Sequence, residues 1–174
     1  TDYVTYNYSQ QVWYGGTMAR TAWVDRNHND NPIAASTDFY LYNHEYGLDD
    51  GSTNPVTALN SYIESSTFEP IPGDGWHFTF INRVIPDVTF VGSEIESPTA
   101  TITLTPKNFP GGGMGTGDAS AITRSATTPV EAYTKEAYIR LRGRSYTYRI
   151  ENNTVGVRWR QGNPRIEVRP DGRR

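Results

Sequence analysis

Apolar and polar residues alternate with a period of two over much of the chain. The pattern is plainest near the end, where Ala137, Ile139 and Leu141 take odd positions and Tyr146, Tyr148 and Ile150 even ones. Such alternation turns one face of a half-buried strand inward, so both runs read as strands. The change of phase falls at Gly143 and reads as a bulge, where one extra residue restores the inward face and glycine reaches the required backbone angles cheaply. The other face of this element then carries Arg140, Arg142 and Arg144 before the phase change and Arg149 after it.

Earlier in the chain, residues 3–8 alternate as a strand, and two apolar-aromatic runs at 11–14 and 18–24 flank Gly15-Gly16, which predicts a hairpin turning at the glycines. A polar loop follows at 25–32. Residues 39–42 form a further short strand, ended by the turn formers of 47–51. From residue 58 the strands lengthen: 59–68, then 77–91 interrupted by Pro86, then 99–109, where Ile102 and Leu104 alternate with threonines. Proline cannot donate a ladder hydrogen bond, so Pro86 marks an edge or a bulge. The glycine-rich stretch 110–117 and the Ser/Thr-rich segment to Pro129 read as one loop, longer than the usual limit of about 12–15 residues and therefore functional or ordered by a neighbour. No stretch has a helical pattern. The expected fold is all-β with antiparallel sheets: short hairpins resembling a propeller blade in residues 1–52, and a longer-stranded β-sandwich-like part with basic C-terminal strands in 53–174.

Charge changes later in the chain, ahead of the basic strands. From Lys135 onward there are eleven Lys and Arg against four acids, a formal +7, while the preceding residues carry −10. The chain has 174 residues, 13% of them aromatic and 20% charged, a composition neither disordered nor coiled-coil. No run approaches the roughly 18 apolar residues of a membrane helix, which predicts no membrane span, and the first residues lack the basic and apolar regions of a signal peptide. There is no cysteine, which removes disulfide and thiol chemistry and leaves the compartment open. Because the chain opens on Thr1 inside an alternating run, it is expected to be a piece of a longer protein.

Candidate chemistry is sparse. Asp25-x-Asn27-x-Asn29 resembles the start of a calcium-binding EF-hand loop, but the sixth position is Asp30 where glycine is needed, and the twelfth is Ser36 where a bidentate acid is needed. The glycines of 111–117 are followed by no Gly-Lys-Ser/Thr, and a phosphate cradle also needs a strand before it and a helix after it. His28, His44 and His77 stand far apart, at no metal-ligand spacing, and no serine lies in a nucleophile-elbow pattern. Asp49-Asp50 and Glu94 with Glu96 offer carboxylate pairs for a glycosidase, though such pairs on an acidic β protein are usually surface charge. No catalytic residue, metal site or cofactor is assigned.

The arginines carry the strongest signal. A duplex-binding protein concentrates positive charge with few acids nearby, whereas the sequence pI here is about 5.6, so specific DNA recognition is not expected. Pairing with acids of the same chain or of a neighbouring subunit fits better, because planar guanidinium groups suit bidentate carboxylate contacts and the interleaved Tyr138, Tyr146, Tyr148 and Trp159 offer stacking surfaces. Arg140, Arg142, Arg144, Arg149, Arg158, Arg160 and Arg165 are the candidate interface residues.

These residues also carry a resemblance. Arg140-Leu141-Arg142-Gly143-Arg144, then Gly156-Val157-Arg158-Trp159-Arg160-Gln161-Gly162, then the ending from Pro164 through Arg169-Pro170-Asp171-Gly172-Arg173-Arg174 resemble the C-terminus of tail nozzle or tail tubular proteins of short-tailed bacteriophages. Trp13-Tyr14-Gly15, Met18-Ala19-Arg20-Thr21-Ala22-Trp23, Tyr42-x-His44-Glu45-x-Gly47-x-Asp49-Asp50 and Tyr62-Ile63-Glu64-Ser65 are similar to earlier segments of those proteins. The resemblance implies a non-enzymatic virion protein whose propeller and sandwich elements assemble as a ring, typically a hexamer, around the DNA-exit channel. It also implies contact with other tail or portal-adaptor proteins, and transient, nonspecific contact with genomic DNA. The length departs from that pattern, since propeller blades need about 40 residues each. A second class of function is a host-glycan-binding module of the tail tip, with Trp13, Tyr14 and Trp76 on short loops stacking on sugars. A polysaccharide depolymerase is the third.

Overall fold

A computed structural model describes residues 2–26, 28, 30–71, 76–109 and 124–172. All of its regular structure is β: fourteen strands among the described residues, every pair antiparallel and no helix. The chain divides into two compact units, Thr1–Gly47 and Leu48–Arg174.

In the first unit β1 (Asp2–Asn7) pairs with β2 (Val12–Thr17), and β3 (Arg20–Val24), β4 (Ile33–Ser36) and β5 (Leu41–Asn43) form a three-stranded meander. The hairpin expected at Gly15-Gly16 is not there. The turn lies at 8–11 instead, where the Asn7 side-chain oxygen accepts the backbone N–H groups of Ser9 and Gln10 at 3.1 Å each and Gln11 takes a φ of 55°. Gly15 and Gly16 sit inside β2 opposite Val4 and Tyr3, and a Cβ on Gly16 would come within 2.8 Å of the Tyr3 ring. The glycine makes room for a cross-strand aromatic, the other reason for glycine in a strand.

The second unit is a sandwich. Its four-stranded sheet runs in the order β10 (Ala126–Glu131), β9 (Thr99–Lys107), β12 (Ser145–Asn152), β6 (Ser61–Glu64); its three-stranded sheet runs β11 (Ala137–Gly143), β7 (Thr79–Ile85), β14 (Arg165–Pro170). β8 (Val88–Thr89) and β13 (Arg160–Gln161) form a short ribbon beside them. The core lies between the sheets and joins Ile81 and Val84 of β7, Ile102 and Leu104 of β9, Val130 of β10, Ile139 and Leu141 of β11 and Tyr146, Tyr148 and Ile150 of β12. Burying a side chain of this size is worth about 1.5–3 kcal/mol. The expected odd-then-even phase is therefore real.

The cause of the phase change differs from a bulge in one strand. β11 and β12 belong to opposite sheets, and the chain crosses between them at Gly143-Arg144. A bulge and a sheet crossing shift the inward set in the same way, so alternation alone does not separate them. Gly143 is needed there because a Cβ would approach Pro106 to 2.7 Å, not for an unusual backbone angle. The irregularity of β11 itself falls between Tyr138 and Leu141. Beside the crossing, the Tyr146 hydroxyl donates to the Thr79 carbonyl at 2.7 Å, and the Thr79 hydroxyl donates to the Gly143 carbonyl at 3.0 Å. The Tyr146 hydroxyl also lies 3.3 Å from the Gly143 carbonyl three residues upstream, the arrangement of the tyrosine corner of β-sandwich domains.

Two further expectations change. Residues 126–129 belong to β10 and not to a loop: Val130 is buried opposite Ala100, and Pro129 is tolerated because β10 is an edge strand. The glycine-rich part of that expected loop, with Gly111 to Gly117, lies outside the described residues. The expected strand over 59–68 shortens to Ser61–Glu64: the Ser65 N–H still donates to the Tyr148 carbonyl at 2.8 Å, but the Tyr148 N–H goes to the Ser65 hydroxyl at 3.0 Å, and a bridge returns at Phe68 with Tyr146. Pro86 does separate β7 from β8.

Candidate functional site

The strand alternation that fills the core decides where the arginines point. With Ala137, Ile139 and Leu141 inward, Tyr138, Arg140 and Arg142 face outward on β11; with Ile166 and Val168 packed on the core, Arg165, Glu167 and Arg169 face outward on β14. Register through the central strand β7 places Arg142, Phe80 and Arg169 in one row and Tyr138, Arg83 and Glu167 in the next, with Arg165 opposite Ile85. The outer face of the three-stranded sheet is thus lined with guanidinium groups.

Arg83 is the hub of this face. Its Nη1 donates to Glu136 at 2.8 Å and its Nε to Glu167 at 2.9 Å, and Glu167 also accepts from Arg169 at 3.1 Å. Hydrogen bonds from Arg83, then from the Tyr138 hydroxyl, hold the Glu136 carboxyl below the ordinary glutamate range, and Arg169 does the same first for Glu167. Arg142 pairs with Asp171, with its guanidinium carbon 4.0 Å from the centre of the Phe78 ring. Arg144, at the crossing, lies 4.5 Å from the same ring and donates to the Asn108 carbonyl at 3.1 Å.

The single ladder expected from sequence is therefore divided. Arg140, Arg142 and Arg165 share the three-stranded sheet, whereas Arg149 stands on the four-stranded one, bonded to Glu151 at 2.7 Å and Glu64 at 2.9 Å and lying 4.0 Å over the Tyr62 ring. Arg158 and Arg160 lie on the connection between β12 and β14, with the Arg158 side chain across Gly92. Arg140, Arg158, Arg160 and Arg165 are exposed, and among the described residues their side chains make no ion pair or hydrogen bond. Arg173 and Arg174 lie outside the described residues. Sequence reasoning missed Arg83 and Arg169. Arg83 had a usable signal, an arginine inside the expected strand 77–91 and flanked by Phe80-Ile81 and Val84-Ile85.

The other candidates resolve into local structure. The Asp49 carboxylate accepts the Gly156 N–H at 2.8 and 3.0 Å, and Asp50 accepts the Ser52 N–H at 2.9 Å while its backbone bridges to Thr57, so this acid pair braces turns. Asn27 and Asn29 of the calcium-like motif lie outside the described residues. Among the described residues no three His, Asp or Glu side chains gather as a metal site. His44 accepts a hydrogen bond from Arg20 Nε at 3.0 Å and packs 4.6 Å from the Trp23 ring; burial, then the Arg20 charge, holds its imidazole below the ordinary histidine value. Trp13 and Tyr14 belong to β2 and not to a loop, and Trp13 stacks 4.6 Å from Tyr6.

The first unit has the opposite character to the sandwich. Of its described residues only Pro32 and Ala34 are buried, while Tyr8 (83%), Trp13 (67%), Tyr40 (68%) and Tyr46 (74%) are largely exposed. No protein-family model matches the chain, and no curated protein matches it.

Proposed function

We propose that this chain is a structural component of a short-tailed bacteriophage tail, a nozzle or tube protein that closes as a ring around the DNA-exit channel. The observation that carries the reading is the first unit: five strands whose apolar and aromatic side chains bury almost nothing of their own. Exposed apolar faces of this extent mark interaction surfaces, since a soluble unit of this size is expected to hide such side chains in a core. The exposed arginines supply the second half of the argument. Ring closure joins one face of a subunit to a different face of the next, so an acidic, aromatic unit and a guanidinium-lined sheet form a complementary pair. The sequence resemblance supplies the phage tail, the virion location and the contacts with other tail or portal-adaptor proteins.

On this reading the chain catalyses nothing, and any contact with genomic DNA is nonspecific and falls steeply with salt through counterion release. The test is a reconstruction of the source particle. The reading expects residues 156–172 in a symmetric ring below the portal; their density in a peripheral fibre, or in no virion, overturns it.

A further inference from the structure

The outer face of the four-stranded sheet ends in a recess of about 340 Å³, formed where β9 and β12 meet the segment before β6. That volume lies at the lower end of the range of small-ligand clefts, about 300–1,000 Å³. Its lining is polar throughout. Asn60, Thr99, Thr101, Asn153 and Thr154 surround it, and none of their side chains makes a hydrogen bond among the described residues. Below them Asn152 is buried and anchored at both ends of its amide: the nitrogen donates to the Thr99 carbonyl at 2.5 Å, and the oxygen accepts the Thr154 N–H at 3.0 Å. A rigid floor therefore holds five unused polar side chains around one space.

The chemistry of those groups selects the ligand. Three hydroxyls and two carboxamides each donate and accept, and none is charged. The one acid in the lining, Glu151, already accepts two hydrogen bonds from Arg149, at 2.7 and 2.9 Å. A metal cation finds a single carboxylate there, already ion-paired with Arg149, an anion finds no cationic side chain in the lining, and an apolar ligand finds no hydrophobic wall. We infer that this recess binds a neutral, polyhydroxylated ligand, a saccharide residue. Tyr62, across from Glu151 in the register of β6 and β12, lies outside the lining and its ring carries the Arg149 guanidinium at 4.0 Å, so recognition rests on the five polar side chains. This site is separate from Trp13, Tyr14 and Trp76, and the inference does not rest on the tail reading.

The test titrates isotope-labelled protein with maltotriose, cellotriose and N,N′,N″-triacetylchitotriose, and with sialyllactose as an acidic counterpart, up to about 10 mM, which detects dissociation constants in the millimolar range. Amide shifts at Thr99, Thr101, Asn153 and Thr154 with at least one neutral trisaccharide are expected. The pair T101A with N153A should weaken that binding roughly tenfold, the scale of one or two lost hydrogen bonds. T127A, on the same sheet face but outside the recess, should leave it unchanged. N60A, at an exposed position outside any strand, repeats the test without touching a strand. No shift at these residues with any neutral probe overturns the inference, as do shifts confined to Trp13 or Trp76, or tighter binding of sialyllactose than of every neutral trisaccharide.

Discussion

The Tyr146 hydroxyl lies 2.7 Å from the carbonyl oxygen of Thr79, and through this bond an inner strand of the four-stranded sheet is tied to the central strand of the three-stranded one. Both residues are buried, so the bond is made out of reach of water. Tyr146→Phe leaves the Thr79 carbonyl without this donor and should destabilise the second unit by about 1–3 kcal/mol, read from the urea midpoint. An unchanged midpoint would show that the corner holds nothing.

At the neighbouring crossing, Gly143→Ala pushes a methyl group against Pro106, which lies opposite Tyr146 in β9. Overpacking of this kind costs about 1–3 kcal/mol. Pro106→Gly in the same chain removes the Cβ that the new methyl would meet and should recover part of the loss, because the two positions share one contact and their effects do not add. Full additivity in the double variant would place the strain elsewhere.

Glu136 and Glu167 are both held below the ordinary glutamate value of 4.5 by the arginines around them. A depressed carboxyl binds fewer protons in the folded state, so the stability it contributes is present above that value and is lost as pH falls through the folded one. The unfolding midpoint should therefore drop as pH is lowered from 5 toward about 3. Arg83→Met should flatten that dependence; an equally steep profile in the variant would remove Arg83 from the hub.

His44 has the same sign of proton linkage within the first unit, at a higher pH. Its imidazole is held low, so the unfolded chain binds its proton first, and the neutral ring contributes stability that is present above the ordinary value of 6.5 and lost as pH falls below it. Followed by NMR, the His44 midpoint should lie under 6.5. Arg20→Ala should raise it partway, since burial is the larger cause and remains. A midpoint unmoved by Arg20→Ala would exclude the charge of that arginine.

Arg140 and Arg165 are exposed and make no ion pair among the described residues, so replacing both by glutamate should change the stability of the isolated chain by no more than about 0.5 kcal/mol for each site. If the chain closes as the proposed tail ring, assembly into particles should nevertheless fail. Arg149→Glu is the control with the reverse pattern, because it sets like charges beside Glu64 and Glu151 and should lower the melting temperature directly. Normal particles carrying both R140E and R165E would remove these arginines from any subunit contact.

Period-two alternation was enough to read the inward faces of β9, β11 and β12, since each is half-buried and its register is fixed by what it buries. It did not assign strands to sheets, because a residue facing the core looks the same from either side. That is why Gly143 read as a bulge and the arginines as one ladder. Gly15-Gly16 misled for a related reason: glycine relieves a turn and a close side-chain approach equally well, and only the position of Tyr3 decides between them. The recess was not legible at all. Asn60, Thr99 and Asn153 are about forty and fifty residues apart, and unused hydrogen-bonding capacity is a property of neighbours that only the fold supplies.

The pairing of β6 with β12 sets a schedule for the nascent chain. Glu64 and Arg149 are 85 residues apart, and among the described residues β6 pairs with no strand of its sheet but β12. At synthesis rates of about 5–20 residues per second, β6 leaves the ribosome roughly 4–17 s before its neighbour exists. β7 waits similarly for β14, with Arg83 and Glu167 84 residues apart. The sandwich therefore closes late and from its ends inward to one partnership, so a ribosome stalled before residue 145 releases a chain that holds most of the core residues and neither completed sheet.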